Sequence, residues 1–427
     1  MSTTRVVAAV AVSASACAIV VWLRRRKIGL STARLQRVVD YVRKQVDGGF
    51  TPMMQLGICH RGKLVLQMST GFADAEQKRV IRDDTITRVY SMTKPIVSTM
   101  AMMLVERAMI QLDHPVSNYL PCFAEMHMLG PSGELKLART PITLQHLLTH
   151  TSGLSYPFFP SKVATIYKEA GIEFGDCASD QEPGALRREV EKLAKLPLLC
   201  EPGTEFHYSY SLDVIGCVLE IVTGQTLGEL LRAEILEPLQ MSDTAFFVPR
   251  EKAGRFAACY ELLPGGGYQR TSIPATDPYL VPNVHKCKGG GGLVSTLPDM
   301  LRFVSMLAGK GRCPPTAPGG ASVRLLSRTS VEFMMCDHLA PGVSVPPGFL
   351  HAWHAVGFGI GGSVVKNPAR NAVVGGGFSW GHMANGYLYI DPKEELAFVM
   401  LSQITPSFTL CRWRRELQSL IQACIDD

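Results

Sequence analysis

Residues 88–96 read Arg-Val-Tyr-Ser-Met-Thr-Lys-Pro-Ile, and the serine and lysine in this stretch, Ser91 and Lys94, are three positions apart. On a helix this spacing puts both side chains on one face, close enough for the amine to accept the serine proton. Pro95 fits the first turn of a helix, so Ser91 is expected at a helix N-terminus. There the helix dipole and a backbone amide favour negative charge on oxygen.

The S-x-x-K pattern alone is weak evidence, because two fixed residues recur by chance about once in a chain of this length. The alternative is that Ser91 only caps the helix and that Lys94 is a solvated residue of its first turn. A lysine acts as a base only when burial or neighbouring cations depress its pKa. The rest of the sequence has to decide between these interpretations.

The composition is that of a folded protein with a large core, since 46% of the 427 residues are hydrophobic and 19% are charged. The formal charge is +6, but five basic residues and no acidic ones lie in the first 28 residues, so the remainder is nearly neutral. A neutral body without basic clusters argues against a nucleic-acid partner.

The N-terminal segment contains an apolar run of 18 residues, Val6–Leu23, followed by the basic cluster Arg24–Lys27. This length is at the threshold for spanning a bilayer. A cleavable signal peptide with small residues around Ala14 and Ala16 is the rival interpretation, but the run continues past them into the basic cluster. We expect residues 1–28 to be a retained membrane anchor and residues 29–427 to face the cytosol. An organelle membrane, including a mitochondrial one, fits this anchor equally well.

Twelve cysteines are scattered along the chain without a C-x-x-C pair, which argues against a zinc ribbon or a dense disulfide scaffold and fits a reducing compartment. His146 and His150 have the i, i+4 spacing of a zinc helix, yet the glutamate of H-E-x-x-H is absent. The sequence therefore predicts neither a metal nor another cofactor.

Patterns at the two ends of the chain predict similar structure. A helix is expected over residues 31–46, a hairpin over 53–67, a second hairpin over 387–401 and a helix over 410–425. Residues 91–244 are chiefly helical in pattern and lack strand alternation. The fold class is therefore α+β, with an antiparallel β-sheet built from both termini, flanked by helices, and an inserted helical subdomain at about residues 91–244.

A second serine, Ser379, stands in the G-x-S-x-G pattern of residues 377–381. A nucleophile elbow needs a helix after the serine and a histidine later in the chain. The sequence turns strand-like instead, and the last histidine of the chain, His382, is only three residues away. In a strand that spacing puts the two side chains on opposite faces, so Ser379 is not expected to be the nucleophile.

Five blocks in order resemble the serine β-lactamase-related family, which includes class C β-lactamases, D-aminopeptidases, esterases and acyltransferases. They are RVYSMTKPI at 88–96, LVERAMIQLDHPVSNYLP at 104–121, TPITLQHLLTHTSGL at 140–154, LPLLCEPGTEFHYSYSLDVIGCVLEIVTG at 196–224 and GGGGLVSTLPDMLRFVSML at 289–307. The resemblance covers roughly residues 33–405 and implies the β-lactamase/transpeptidase-like fold of penicillin-binding proteins, with an active site between sheet and helical subdomain.

The resemblance also implies roles for individual residues. Ser91 would be the acylated nucleophile, Lys94 its partner, and Tyr208 the tyrosine that relays protons. Tyr210 stands where the family commonly has an asparagine that holds a substrate amide, which favours ester substrates over penicillin-like ones. The family's third element would be Trp380-Gly381-His382, with an oxyanion amide on this strand, Trp380 as a wall of the acyl pocket, and His382 in place of a glycine.

The sequence therefore predicts a serine hydrolase that acts through a Ser91 acyl-enzyme on a small ester or amide, esterase-like rather than hydrolysing β-lactams. The alternative is an inactive scaffold or partner-binding protein that retained the fold, motivated by the departures at Tyr210 and His382.

Overall fold

The computed structural model of the protein describes residues 29–172, 182–264, 266–272, 277–282, 284–315, 321–346, 356–367, 376–406 and 412–426. The predicted membrane anchor, residues 1–28, lies outside these ranges. Within them, no single helix is long and apolar enough to cross a bilayer. Ser211–Thr223 and Leu227–Leu236 reach that length and composition only as a pair, which is bent by 82°.

The described helices are α1 (Thr32–Asp47), α2 (Thr93–Glu106), α3 (Leu144–Leu148), α4 (Lys162–Glu169), α5 (Ala185–Leu193), α6 (Ser211–Thr223), α7 (Leu227–Leu231), α8 (Leu297–Ala308), α9 (Arg328–Met334) and α10 (Arg412–Gln422). The described strands are β1 (Met53–His60), β2 (Lys63–Asp74), β3 (Arg79–Val80), β4 (Thr87–Arg88), β5 (His127–Leu129), β6 (Leu135–Leu137), β7 (Tyr260–Leu262), β8 (Tyr268–Arg270), β9 (Val294–Ser295), β10 (Arg312–Cys313), β11 (Val323–Arg324), β12 (Val356–Phe358), β13 (Ser363–Val365), β14 (Phe378–Gly381), β15 (Tyr387–Asp391), β16 (Leu396–Leu401) and β17 (Ile404–Thr405).

One large antiparallel sheet organises the fold, in the order β12-β13-β14-β15-β16-β1-β2-β3. Its two halves come from opposite ends of the chain and meet where β1 pairs with β16, with Gly57 opposite Val399. The predicted N-terminal hairpin is present, and its two-residue turn, Arg61-Gly62, has positive φ at both positions, as a right-twisted hairpin favours. The α+β architecture predicted from the sequence is therefore confirmed.

Both faces of this sheet are covered, so alternate residues of a strand enter different cores. Leu56 and Ile58 of β1 pack in the core that contains the terminal helices α1 and α10. Gly57 between them faces α8, where a Cβ atom would lie only 2.4 Å from Leu301 Cδ1. The glycine thus allows α8 to lie close against the sheet.

Helix α2 is buried along most of its length, with both apolar and polar side chains inside the protein. It belongs to the same core as α6 and α8. A helix buried on all sides is typical of the centre of a large core. Because its N-terminus follows the Ser91 turn directly, this packing fixes the position of the S-x-x-K sequence.

The region over residues 91–244 contains α2 to α7, but it also holds a small hairpin, β5–β6, that the sequence analysis did not predict. All three residues of β6 are exposed, and β5 is only partly covered. An exposed strand of three residues has no apolar alternation to reveal it, because neither face is buried. The C-terminal helix, predicted over 410–425, spans Arg412–Gln422, and residues 410 and 411 lie outside the described part of the chain.

Candidate active site

Ser91 lies in a single 3-10 turn, Tyr90–Met92, that leads directly into α2. The preceding residue, Tyr90, has a φ of 38°, a left-handed conformation that a bulky side chain rarely adopts. Strand β14 packs beside this turn. Backbone strain of this kind persists only where the surrounding structure imposes it. Here it sets the orientation of Ser91 at the start of α2.

Tyr208 reaches Ser91 from the segment that precedes α6. Its phenolic hydroxyl donates a hydrogen bond of 2.8 Å to Ser91 Oγ. The ring packs against three others, with centroid distances of 4.7 Å to His150, 5.2 Å to Tyr156 and 5.4 Å to Trp380. This aromatic cluster fixes the hydroxyl against the serine.

Lys94 is 1% exposed and completes the group. Its Nζ lies 4.5 Å from the centre of the Tyr208 ring and donates a hydrogen bond of 2.5 Å to the carbonyl oxygen of Gly290. Burial lowers the pKa of Lys94 to about 7, although Asp213 acts in the opposite direction. A large fraction of the amine is therefore neutral near pH 7 and able to accept a proton.

The pKa of Tyr208 changes in the other direction. Burial raises it well above its ordinary value, and the hydrogen bond with Ser91 offsets only part of that effect. Tyr208 is thus a neutral phenol at pH 7, which can donate a hydrogen bond and pass a proton on. The resemblance implies a proton-relaying role for Tyr208, and of the two groups the neutral amine of Lys94 is the better base.

A cavity of about 420 Å³ opens in front of Ser91. Its lining includes Tyr90, Ser91, Tyr156, Tyr210, Asp213 and Lys288. The side chain of Tyr210 is only 3% exposed and packs 4.6 Å from Tyr156, measured between ring centroids. Where the family commonly has an asparagine that binds a substrate amide, this protein therefore has a bulky phenol that forms part of an aromatic wall.

Trp380 and Gly381 end strand β14, and His382 follows in the turn to β15. Trp380 is 2% exposed and lies behind Tyr208 and Phe358, so in this structure it supports the tyrosine from the rear. A Cβ atom at Gly381 would lie 2.5 Å from Cζ of Arg414, so only glycine fits beside that guanidinium.

His382 is a buried residue of the β14–β15 turn. Its Nδ1 accepts hydrogen bonds from the backbone amides of Ala384 and Gly386, and its carbonyl accepts one of 2.8 Å from Arg414. Burial, followed by the charge of Arg414, lowers the pKa of His382 well below its usual range. The ring is therefore neutral and holds the turn. The predicted oxyanion and substrate roles of Trp380, Gly381 and His382 stay predictions.

Several residues of the site were not singled out from the sequence. Tyr156, Asp213 and Gly290 surround Lys94, and Arg414 reaches the β14–β15 turn from α10. One signal was available for Asp213, a carboxylate in the first turn of an otherwise apolar helix. The others come from distant parts of the chain, and a single sequence gives no spacing that links them.

The two histidines with zinc-like spacing do not form a pair of ligands. His146 Nδ1 accepts from the amide of Thr143 in a capping box, and the His150 ring packs behind Tyr208. In the part of the chain that the structure describes, the ligand atoms of Cys200, Glu205 and His207 lie within 4.8 Å of one another, and His207 Nε2 is paired with the Glu205 carboxylate at 2.9 Å.

Comparisons with known proteins show the family to which the chain belongs. The family model described as Beta-lactamase matches residues 38–420. Protein Rv1367c of Mycobacterium tuberculosis is 32% identical over 86% of this chain and 90% of its own length, and the esterase EstB of Burkholderia gladioli is 29% identical over 81% and 84%.

Among solved structures, EstCE1, titled a hydrolase with promiscuous acyltransferase activity, superposes with a TM-score of 0.74 at 24% identity, covering 91% of this chain and 98% of its own. This likeness shows a shared fold. The family match covers most of the length of the chain. The chain belongs to the Beta-lactamase family.

Proposed function

We propose that this protein is a serine hydrolase of the esterase type, in which Ser91 forms an acyl-enzyme. The observation that carries the proposal is the contact of 2.8 Å between the Tyr208 hydroxyl and Ser91 Oγ, with the buried amine of Lys94 beneath the Tyr208 ring. A nucleophile, a phenolic hydroxyl bonded to it and a buried amine with a lowered pKa are the parts that acyl transfer requires.

The proposed reaction has two steps. Ser91 Oγ attacks the ester carbonyl carbon while its proton passes to Lys94 and Tyr208, and the same pair returns that proton to the departing alkoxide. Water or an alcohol then attacks the acyl carbon on Ser91 and loses its proton to the pair, which restores the serine. An alcohol acceptor would make the protein an acyltransferase, the activity named in the titles of EstCE1 and related chains.

An ester is favoured over an amide by the shape of the cavity. Tyr210 stands where the family commonly has an asparagine that binds a substrate amide. Its phenol packs on Tyr156, so the wall beside Ser91 is aromatic. Such a wall packs well against apolar acyl groups, whereas a carboxamide side chain would be needed to pair with a substrate amide.

A fluorophosphonate probe tests the proposal. The expected result is one adduct on Ser91, together with turnover of short-chain esters that is lost in Ser91→Ala. Equal labelling of Ser91→Ala, or equal ester turnover by that variant, would overturn the proposal. Nitrocefin in the same assay compares β-lactam hydrolysis directly, and we expect it to be much slower than ester hydrolysis.

We also propose that residues 1–28 anchor the protein in a membrane, with the hydrolase body on the cytosolic side. The support is the apolar run Val6–Leu23 and the basic cluster Arg24–Lys27. Carbonate extraction of membranes from cells that express the full chain, compared with a chain beginning at residue 29, tests this. Release of the full chain by carbonate would contradict the proposal.

A further inference from the structure

We propose that Asp213 is a positioning residue for Lys94: its carboxylate fixes the Gly290 backbone that binds the amine, and its charge stabilises the ammonium formed when Lys94 accepts the Ser91 proton. This inference rests on the proposed function, because it assigns a partner to the base of that reaction. Asp213 touches neither Ser91 nor a substrate carbonyl in this role, so it acts through Lys94.

The two side chains meet at Gly290, in the loop before β9. The backbone amide of Gly290 donates a hydrogen bond of 3.0 Å to Asp213 Oδ1, and its carbonyl oxygen accepts from Lys94 Nζ. A Cβ atom at this position would lie 2.6 Å from Asp213 Oδ2 and 2.9 Å from the Tyr156 hydroxyl. A side chain at this position would therefore push against the Asp213 carboxylate.

Asp213 is 5% exposed, and a buried carboxylate is costly unless cations and hydrogen bonds compensate it. It lies in the first turn of α6, where the helix dipole favours negative charge. Burial raises the pKa of Asp213, and the charges of Lys288 and Lys94 and the hydrogen bond from the Gly290 amide act in the opposite direction. Lys288 itself pairs with Glu189 at 2.8 Å. The carboxylate is thus built into a buried set of alternating charges.

Lys94 faces few other groups that carry charge. The rings of Tyr208 and Tyr156 lie 4.5 and 5.5 Å from its Nζ, and both are neutral phenols because burial raises their pKa values. The pKa of His150 is held far below its usual range by burial and by Lys94, so this histidine is neutral. Asp213 is the anion that acts on Lys94 and opposes the effect of burial.

The consequence appears in the pH dependence of kcat/KM for a short-chain ester. Activity requires neutral Lys94, so kcat/KM falls on the acidic side of the Lys94 pKa. Asp213 stabilises the ammonium form, and its removal lowers that pKa further. In Asp213→Asn the acidic limb is expected to move to lower pH by about one unit, the low end of the effect of a close opposite charge.

Asp213→Asn is chosen because its amide oxygen can still accept from Gly290, so shape is retained while the charge is lost. The plateau of kcat/KM should also fall at least about tenfold, because the ammonium loses its counter-charge. Asp299→Asn is the matched control. Asp299 is 6% exposed and bonds to Thr244 and to the amide of Asp243, and its replacement should leave the limb in place.

If Asp213→Asn does not accumulate as folded protein, Gly290→Ala gives the second measurement, because its methyl group would push the Asp213 carboxylate away from the backbone that binds Lys94. The same shift to lower pH is expected. A limb at the wild-type position in either folded variant would overturn the inference. Ser91→Ala is measured in the same assay, and its loss of ester turnover supports the proposed function independently of Asp213. A failure of the Asp213 inference can therefore be told apart from a failure of the proposed function.

Discussion

Replacement of Tyr208 by phenylalanine tests the proton-transfer arrangement with little change in shape. The phenylalanine ring keeps its packing against Trp380, His150 and Tyr156 and loses only the hydroxyl that bonds Ser91 Oγ at 2.8 Å. One lost hydrogen bond should lower the free energy of unfolding by about 1 kcal/mol. The variant is therefore expected to fold.

The effect on catalysis should be much larger than the effect on stability. A positioned acid-base group contributes about 10²–10⁴-fold, so kcat/KM of Tyr208→Phe should fall by that factor. This corresponds to about 3–5 kcal/mol of transition-state stabilisation. KM should change little, because the hydroxyl faces the nucleophile and the ester still enters the same cavity.

Steady-state hydrolysis of a p-nitrophenyl ester measures this effect, with thermal unfolding of the same samples as the stability readout. Tyr167→Phe is the matched control, since Tyr167 is a fully buried tyrosine of α4 and is expected to leave kcat/KM unchanged. A Tyr208→Phe enzyme within about threefold of wild type would refute the assignment of proton transfer to this hydroxyl.

Three further outcomes are expected. In the wild type, kcat/KM should rise with pH up to the Lys94 pKa of about 7 and fall about tenfold per unit below it, and a profile flat from pH 5 to 8 would contradict a lysine base. Gly57→Ala should lower the melting temperature, since its Cβ would meet Leu301 at 2.4 Å, and an unchanged melting temperature would contradict the close packing of α8 on the sheet. Arg414→Met should lower the free energy of unfolding by about 1–3 kcal/mol, because the hydrogen bond to the His382 carbonyl is lost. It should also lower kcat, because the β14–β15 turn loosens. Wild-type stability and kcat in this variant would argue against a role of Arg414 in holding the turn.

Rules about neighbouring residues were sufficient to predict those helices and hairpins whose sequence signals lie within a few adjacent positions. The helix expected from residue 31 begins after Ser31, whose side chain accepts from the amide of Arg34, and the hairpin expected at residues 60–63 turns on Arg61-Gly62. Both are short-range effects of capping and of backbone conformation. The β5–β6 hairpin escaped prediction because its strands are short and exposed.

The site was predicted as far as the ordered blocks reach. The structure brings Ser91, Lys94 and Tyr208 together, although Tyr208 is 117 residues from Ser91 in the chain, and their catalytic roles stay predictions. The surroundings of Lys94 were not predictable, since Asp213 of α6 and Gly290 of the loop before β9 meet only when distant parts of the chain pack together. The same holds for the ionisation of Lys94, which depends on how completely the folded chain removes it from water.

The central claim is that Ser91 becomes acylated during turnover. Rapid acid quench of the enzyme with an excess of p-nitrophenyl ester, followed by peptide mass spectrometry, measures this directly. The predicted result is an added acyl mass on the peptide that contains Ser91, formed as fast as the burst of p-nitrophenol and absent in Ser91→Ala. Ester turnover at the same rate with no acyl mass on that peptide, or with the acyl mass on another residue, would contradict the account.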